Sequence, residues 1–294
     1  TMDLDKLFVA EHHEQRISIK TQDSNDVRIS LMASRAATTD YDLTGQIVWP
    51  VAVLLSHYLV SVPGKEHLKN SRVVELGAGC GLVGMASAMC SSVKQVVWTD
   101  GNESIVDGLL KDNCEMARVQ QKEKIPPGND DDDNSQAPLL NVAPLLWGDR
   151  DHLKAVQEVL IDECCDVVVA ADVVQWPAVV EPLLHTVTAL LWKTRETSVF
   201  LLGIVSRAQS TYDLFFSLAN EMGFTFRKIL PLEFLAGGIL PDSCQEYGGR
   251  QTEIYELKLK AEGSMFPLLL MPQKDDQHDT TLGRGYQKMA FLPC

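Results

Sequence analysis

The sequence predicts an α/β fold: a doubly wound, mostly parallel sheet of seven strands, with an antiparallel pair at one edge and an N-terminal β-hairpin extension. From residue 72 onward, apolar runs alternate with helical segments, and several runs consist almost wholly of Val, Ala and Leu. Such runs are typical of strands buried on both faces, which requires helices on both sides of the sheet. Between the last two runs there is no helix, only a Gly- and Pro-rich stretch at 236–250, so we expect these two strands to pair antiparallel.

The elements are predicted from their periodicity, in chain order. Alternating apolar residues at 16–33 predict the hairpin, and Pro50 suits the first turn of a helix over 51–60. The predicted sheet strands are residues 72–76, 95–99, 139–146, 166–171, 198–205, 224–229 and 252–259. The predicted helices between them are one that ends at residue 89 and those over 105–117, 182–191 and 211–222.

The chain divides into an N-terminal hairpin extension at 1–40, a main domain at 41–260 and a tail or cap at 261–294. Hydrophobic residues make up 45% of the chain, enough for a substantial core in the main domain. Residues 118–138 contain a Pro-Pro-Gly run and four consecutive aspartates, so we expect a disordered insertion there.

Composition narrows the class of partner. The formal net charge is -14, and affinity for a nucleic-acid backbone comes mostly from cations, so we expect a basic protein partner and no nucleic acid.

The seven cysteines are irregularly spaced, without paired CxxC sites, so we expect reduced thiols and no metal site. No secretion signal opens the chain and no apolar run reaches about 18 residues, the length of a membrane span. We expect a monomer that does not contact membranes, in the cytoplasm or alternatively the nucleus.

The most informative segment is a glycine-rich turn after the first predicted sheet strand. From Glu75 to Gly84 the sequence reads E-L-G-A-G-C-G-L-V-G, and a helix follows directly. Glycine leaves no Cβ between the main chain and a ligand. The next strand ends at Asp100, where a carboxylate would meet the ribose of a nucleoside lying on the turn. This segment predicts a nucleoside-cofactor pocket.

Two classes of cofactor fit such a turn. Residues 79–84 satisfy the dinucleotide pattern G-x-G-x-x-G, and Asp100 lies near the expected distance downstream. Three observations nevertheless favour S-adenosylmethionine over NAD. Glu75 would repel a pyrophosphate but suits a ligand that carries an ammonium group. The sheet ends in a strand pair and not in a second mononucleotide-binding half, and Asp172 places an acid over the crevice.

In this order of features the chain resembles the seven-β-strand S-adenosylmethionine-dependent methyltransferases, and more narrowly family 16, the methyltransferase-like protein lysine methyltransferases. The matching elements are Gly45-x-x-x-Trp49-Pro50, Glu75-x-Gly77-x-Gly79-x-Gly81, Val97-Trp-Thr-Asp100, Leu110-x-x-Asn113, Leu145-Leu-Trp-Gly148 and Ala171-Asp172. The resemblance implies a Rossmann-like class I methyltransferase fold. It also implies S-adenosylmethionine as the cofactor, S-adenosylhomocysteine as its product, and a lysine side chain of a protein as the acceptor.

The resemblance also implies the residues at the cofactor. Glu75 would hold the methionine ammonium, Asp100 the ribose hydroxyls, and Trp147 would cover the adenine ring. The residues expected at the cofactor are Trp49, Glu75, Gly77, Ala78, Gly79, Gly81, Asp100, Gly101, Asn102, Asn113, Trp147 and Ala171. Structural interpretations remain open: Glu75 could stabilise a helix N-terminus, the tryptophans could be core aromatics, and Asn113 could be a polar residue on a helix surface.

The acceptor end departs from the family pattern. The family has an acidic residue, two residues of any kind, then Tyr or Phe at the end of the fourth strand. Here the run is Asp172-Val-Val-Gln175-Trp176, with glutamine at the aromatic position and an aromatic one residue later. We expect the catalytic residues to be Asp172, Gln175 and Trp176, with Asp172 near the transferred methyl group, although it could instead cap a helix. The departure leaves three functions open: a protein lysine methyltransferase, a small-molecule methyltransferase, and a cofactor-binding interaction protein without turnover.

Overall fold

The computed structural model describes residues 11–20, 26–34, 44–90, 92–124, 137–194, 196–245 and 252–260. The strands are β1 His12–Ile19, β2 Val27–Ser34, β3 Arg72–Leu76, β4 Gln95–Asp100, β5 Leu139–Pro144, β6 Val167–Ala171, β7 Val199–Val205, β8 Phe224–Ile229 and β9 Thr252–Leu259. The first helices are α1 Pro50–Val60, α2 Val62–Leu68 and α3 Leu82–Ala88. Helix α4 consists of Glu103–Ile105, a π-helical turn at Val106–Leu110, and Lys111–Lys124. The later helices are α5 Arg150–Val159, α6 Pro177–Leu191, α7 Gln209–Glu221 and the short α8 Asp242–Gln245.

Seven of the strands form one sheet in the order β5-β4-β3-β6-β7-β9-β8. Strands β5, β4, β3, β6 and β7 are parallel, and β9 runs antiparallel to both β7 and β8. The predicted doubly wound, mostly parallel sheet with an antiparallel edge pair is therefore confirmed. Strand β4 lies on one side of β3 and β6 on the other, so the chain order reverses here. The carboxyl ends of these three strands frame the crevice at which open α/β sheets bind ligands.

Helices cover both faces of the sheet because successive residues of a strand point to opposite sides. Val73 of β3 and Val167 of β6 pack in one core with α1, α3 and α4. Their neighbours Val74 and Val168 pack in a second core with α5, α6 and α7. This two-sided burial is the reason that the central strands β6 and β7 are apolar throughout.

Strands β1 and β2 form the predicted hairpin, antiparallel, with Ile17 opposite Ile29. The side chains of Ile19, Ile29 and Leu31 are completely buried, in the same core as α1 and α3. The hairpin therefore packs on one helical layer of the sheet. Its turn at 21–25 and the predicted tail or cap at 261–294 lie outside the described residues, and the division of the chain at 40 and 260 stays a prediction.

Several elements differ from the sequence prediction, which did not include α2 or α8 and ended β5 at 146 and not at Pro144. It also did not include α5, a mostly polar helix whose first N–H groups are capped by the carboxylate of Asp149. Helix α4 continues to Lys124, where a loop was expected from 118, because Gln120 and Gln121 hydrogen-bond to backbone outside the helix. The rest of the expected insertion, residues 125–136, lies outside the described residues. Helix α6 begins at Pro177 and not at 182, since Pro177 takes the first-turn position.

Cysteine, metal and membrane features can be stated for the described ranges only. Six cysteines lie there, and no two of them form a disulfide. The same ranges contain no group of three His, Cys, Asp or Glu side chains placed to hold a metal ion. Among the helices described, none is both long enough and apolar enough to cross a lipid bilayer.

Candidate active site

Three acidic side chains lie at the carboxyl ends of the three central strands. Glu75 is the penultimate residue of β3, Asp100 ends β4, and Asp172 follows β6. Strand β3 pairs with both neighbours, and Glu75 is opposite Trp98 of β4 and Val169 of β6. The three carboxylates therefore belong to one edge of the sheet, at the crevice.

The turn after β3 requires glycine at three positions. The φ angle is +61° at Gly77, +52° at Gly79 and +77° at Gly81, in the left-handed region that favours glycine. The N–H of Gly81 donates to the carbonyl of Ala78 at 2.7 Å, which closes the turn. A Cβ atom at Gly79 would lie 2.6 Å from the carbonyl oxygen of Gly45. The turn therefore lies directly against the segment that precedes α1.

Asp100 binds the glycine turn from the adjacent strand. Its Oδ2 accepts from the N–H of Gly79 at 2.9 Å, and its Oδ1 accepts from the N–H of Asn102 at 2.9 Å. Burial raises the pKa of Asp100, and these two backbone N–H groups oppose that rise. Each carboxylate oxygen can accept a second hydrogen bond. The predicted contact with ribose hydroxyls stays a prediction, which this geometry permits.

Glu75 is buried beneath the first turn of α3. Its side chain is 3% exposed, and Oε2 accepts from the N–H of Gly84 at 2.6 Å. Burial raises the pKa of Glu75 to about 8, and the negative charge of Asp100 acts in the same direction. A neighbouring cation would lower this pKa. The site therefore suits a ligand with positive charge, while the contact with a methionine ammonium stays a prediction.

Trp147, which follows β5, packs against the glycine turn. A Cβ atom at Gly77 would lie 3.2 Å from Cζ2 of Trp147 and 2.9 Å from Cγ1 of Val173. The indole Nε1 of Trp147 is buried and has no hydrogen-bond partner among the described residues. A buried donor without an acceptor costs about 1–3 kcal/mol. A bound group that offered an acceptor to this N–H would be stabilised.

Asp172 is paired with Arg207, a residue that the sequence prediction did not include. The Nε of Arg207 donates to Oδ1 of Asp172 at 3.3 Å, and Nη2 donates to Oδ2. Asp172 is 6% exposed, and its φ of +58° is uncommon for a residue other than glycine. The carboxylate expected near the acceptor is therefore held by a guanidinium.

Arg207 also connects this pair to Trp49. The guanidinium carbon of Arg207 lies 5.2 Å from the centre of the Trp49 ring, within cation–π distance. The indole Nε1 of Trp49 donates to the carbonyl of Thr44 at 3.0 Å. Arg207 stands two residues after β7, at the same edge of the sheet as Asp172. A basic residue two positions after the end of a buried strand is the sequence signal that could have identified it.

Gln175 and Trp176 lie between Asp172 and α6. The Nε2 of Gln175 donates to the backbone carbonyl of Asp172 at 2.9 Å, which closes the turn that presents Asp172. Trp176 is the last residue before α6 and has an extended backbone. Ala171 ends β6, opposite Gly203 of β7. The catalytic roles of Gln175 and Trp176, and the cofactor contact of Ala171, stay predictions.

Three further residues of the predicted cofactor set flank Asp100 and the turn. The N–H of Ala78 donates to the carbonyl of Thr99 at 2.9 Å. The side chain of Asn102 caps the start of α4, and Gly101 beside it is exposed. Their cofactor contacts also stay predictions.

The structure gives Asn113 a role different from the expected one. Asn113 is 1% exposed, its Oδ1 accepts from the N–H of Met32, and its Nδ2 donates to the carbonyls of Met32 and Cys80. Both N–H groups and the oxygen of the amide are thus engaged within the protein. The predicted contact of Asn113 with the cofactor stays a prediction, although neither N–H of its amide is left for a ligand.

Comparison with known proteins gives a family. The family model described as lysine methyltransferase matches residues 33–221, which is more than half of the chain. The matched region contains β3, β4 and β6 and therefore the glycine turn and all three acidic residues of the crevice.

Individual relatives share between 26% and 30% of their residues with this chain over the aligned regions. Protein-lysine N-methyltransferase EFM3 of Chaetomium thermophilum is 26% identical over 67% of this chain and 53% of its own length. Protein N-lysine methyltransferase METTL21A of Xenopus tropicalis is 30% identical over 57% of this chain and 63% of its own length. Histone-arginine methyltransferase METTL23 of Mus musculus is 30% identical over 51% of this chain and 49% of its own length. The chain spans less than two thirds of the length of these relatives. Since the family model covers most of the sheet and the whole crevice, the chain belongs to the lysine methyltransferase family.

Proposed function

We propose that the protein is an S-adenosylmethionine-dependent methyltransferase that methylates a lysine side chain of a protein substrate. Membership of the lysine methyltransferase family supports the reaction and the acceptor. The observation that carries the proposal is the 2.9 Å hydrogen bond from the N–H of Gly79 to Asp100. This contact brings the glycine turn and the acidic end of the adjacent strand together at the carboxyl end of the sheet.

The side chains at the crevice fit a nucleoside joined to an amino acid. The glycines at 77, 79 and 81 place no Cβ atoms beside a ligand, and Asp100 can still accept from sugar hydroxyls. Trp147 offers an aromatic face and a buried N–H without a described partner, and Glu75 suits an ammonium group. S-adenosylmethionine, when bound, supplies a methyl group that can pass directly to an amine without a metal ion or an enzyme nucleophile.

At the acceptor side, the residues of this chain would mainly align the amine. Asp172 would accept hydrogen bonds from the amine, and the two-point contact with Arg207 fixes the orientation of that carboxylate. Such positioning can supply roughly 7–11 kcal/mol of a reaction barrier. A lysine must also lose its proton before it reacts, because an ammonium has no lone pair. Partial removal from water favours this loss.

The partner and the compartment are proposed from charge and composition. A net charge of -14 favours a basic protein segment as the substrate and disfavours nucleic acid. We propose that a monomer acts in the cytoplasm, with the nucleus as the alternative, and does not contact membranes. Imaging of the tagged protein and its mass in solution would test these statements.

The decisive experiment is methyl transfer into a cell extract. Purified protein and S-adenosylmethionine labelled in the methyl group should transfer label to protein, recovered as methyl-lysine by mass spectrometry. The isosteric variant Asp100→Asn is the control, and it should bind the cofactor less tightly and transfer less label. If calorimetry detects no binding of S-adenosylmethionine to the wild-type protein, the proposal is wrong.

The same experiment separates the other functions. Label in the small-molecule fraction would indicate a small-molecule methyltransferase, and methyl-arginine would indicate the acceptor named for the mouse relative. A cofactor-binding interaction protein without turnover is the second candidate. It is favoured by Gln175 at the aromatic position of the family and by the burial of Asp172 against Arg207. Cofactor binding without any labelled product would select it.

A further inference from the structure

Side-chain amides from α4 complete the outer edge of β2. The N–H and carbonyl of Ser30 bond to Oε1 and Nε2 of Gln120, at 2.9 and 2.8 Å. The N–H and carbonyl of Met32 bond in the same way to Oδ1 and Nδ2 of Asn113, at 2.6 and 2.9 Å. Residues seven apart lie on one face of a helix, so α4 presents both amides to the strand. Each amide replaces the backbone of a third strand.

Asn113 and Gln120 differ in the partner of the second N–H of the side-chain amide. Gln120 directs it to the carbonyl of Met116, one turn earlier in its own helix, at 3.1 Å. Asn113 directs it to the carbonyl of Cys80, between the second and third glycines of the turn after β3, at 2.9 Å. Asn113 therefore joins three elements, the hairpin, α4 and the glycine turn, whereas Gln120 joins only the first two.

The bond to Cys80 fixes one peptide plane of the glycine turn at both ends. The carbonyl of Cys80 accepts from Asn113, and the N–H of Gly81 in the same peptide unit donates to Ala78 at 2.7 Å. Gly81 has a φ of +77° and therefore many accessible conformations in the absence of such contacts. Because Asn113 is 1% exposed, water does not compete for this hydrogen bond.

A second contact joins the hairpin to the same turn. The N–H of Ser34, the last residue of β2, donates to the carbonyl of Gln46 at 2.7 Å. The neighbouring residue, Gly45, lies so close to Gly79 that a Cβ there would come within 2.6 Å of the Gly45 oxygen. The hairpin thus reaches the glycine turn from two sides.

We propose that Asn113 is a positioning residue that fastens the N-terminal hairpin to the cofactor-binding turn, which makes the hairpin part of the cofactor site. Asn113 acts through the backbone of Cys80 and does not itself touch the cofactor. The identity of the cofactor in this proposal rests on the proposed function; the coupling between hairpin and turn does not.

The test compares Asn113→Ala with Gln120→Ala in the whole 294-residue chain. Each variant loses one of the two side-chain amides that bond to the edge of β2. Only Asn113→Ala also loses the hydrogen bond to the glycine turn. Hydrogen exchange of the free protein should become at least tenfold faster across residues 76–84 in Asn113→Ala and change less than twofold in Gln120→Ala. Exchange in β2 should become faster in both variants. Calorimetry with S-adenosylhomocysteine should show at least tenfold weaker binding for Asn113→Ala and less than twofold for Gln120→Ala.

Two outcomes would overturn the proposal: unchanged exchange at 76–84 in Asn113→Ala, or equal acceleration there in both variants. If the alanine variant fails to fold, Asn113→Asp keeps the size and the acceptor for Met32 but cannot donate to Cys80, and Gln120→Glu is its matched control. If the wild-type protein does not bind S-adenosylhomocysteine, the proposed function fails. The exchange comparison still decides the coupling in that case.

Discussion

The guanidinium of Arg207 and the carboxylate of Asp172 form an ion pair that joins the ends of β7 and β6. The two side chains are 21% and 3% exposed, so the carboxylate lies almost wholly inside the protein. Loss of one partner of a buried pair is more costly than loss of both, because the remaining charge stays in a poorly solvated place.

We expect Arg207→Ala to lower the free energy of unfolding by about 3–5 kcal/mol, the range for a buried pair that loses one partner. Adding Asp172→Asn to this variant should restore at least about 1 kcal/mol, because the buried charge is then removed. Urea denaturation measures both values, and methyl transfer should be lost in both variants. Arg207→Lys, which cannot make the two-point contact, should be intermediate. Equal stability of the single and double variants would contradict this role of the pair.

The raised pKa of Glu75 predicts a dependence of stability on pH. Since its pKa is about 8 in the folded protein and 4.5 in the unfolded chain, the folded state binds the extra proton between these values. The contribution of Glu75 to the free energy of unfolding therefore falls as pH rises from 4.5 to about 8, by up to about 1.4 kcal/mol per pH unit. Glu75→Gln cannot ionise and should lack this decline. Denaturation of both proteins from pH 5 to 9 would measure the difference, and parallel curves would show that the carboxylate titrates normally.

Gly84 and Gly108 form a matched pair for substitution by alanine. A Cβ at Gly84 would lie 2.1 Å from Nε1 of Trp98 and 2.7 Å from Oε2 of Glu75, whereas a Cβ at Gly108 meets nothing within 4 Å. Trp98 is 1% exposed and cannot move aside. We expect Gly84→Ala to destabilise the fold by about 3 kcal/mol, at the upper end of overpacking costs. Gly108→Ala should stabilise it by about 0.5–1 kcal/mol through helix propensity. Thermal denaturation gives both values, and equal effects would contradict the packing described for α3.

Substitutions of Trp147 can distinguish the contribution of its aromatic face to ligand binding from that of its indole N–H. Trp147→Phe keeps an aromatic ring and removes the buried donor that has no described partner. We expect the free protein to be as stable as the wild type or slightly more so. Binding of S-adenosylhomocysteine should weaken by about 1 kcal/mol, roughly fivefold, if the N–H meets an acceptor on the ligand. Trp147→Ala should weaken it considerably more. Unchanged affinity in both variants would place the nucleoside elsewhere.

Periodicity was most informative for the strands. The bounds of β3, β8 and β9 agree with the sequence prediction residue for residue. The sequence prediction missed α5, a mostly polar helix of which only Leu153 and Val156 are buried. It also ended α4 too early, because bonds from Gln120 and Gln121 to other elements extend a segment with little apolar character.

The sequence by itself determined most of the strands, the glycine turn and the place of Asp100 at the end of a strand, because these depend on residues that are close together in the chain. Only the tertiary structure decided what Asn113 and Asp172 contact. Their partners Met32 and Arg207 stand 81 and 35 residues away. A hydrogen bond of an amide or a carboxylate depends on which donors the folded chain brings within 3 Å or so. Neither residue type nor periodicity encodes that choice, so a polar residue expected at the cofactor proved to hold two backbone segments together.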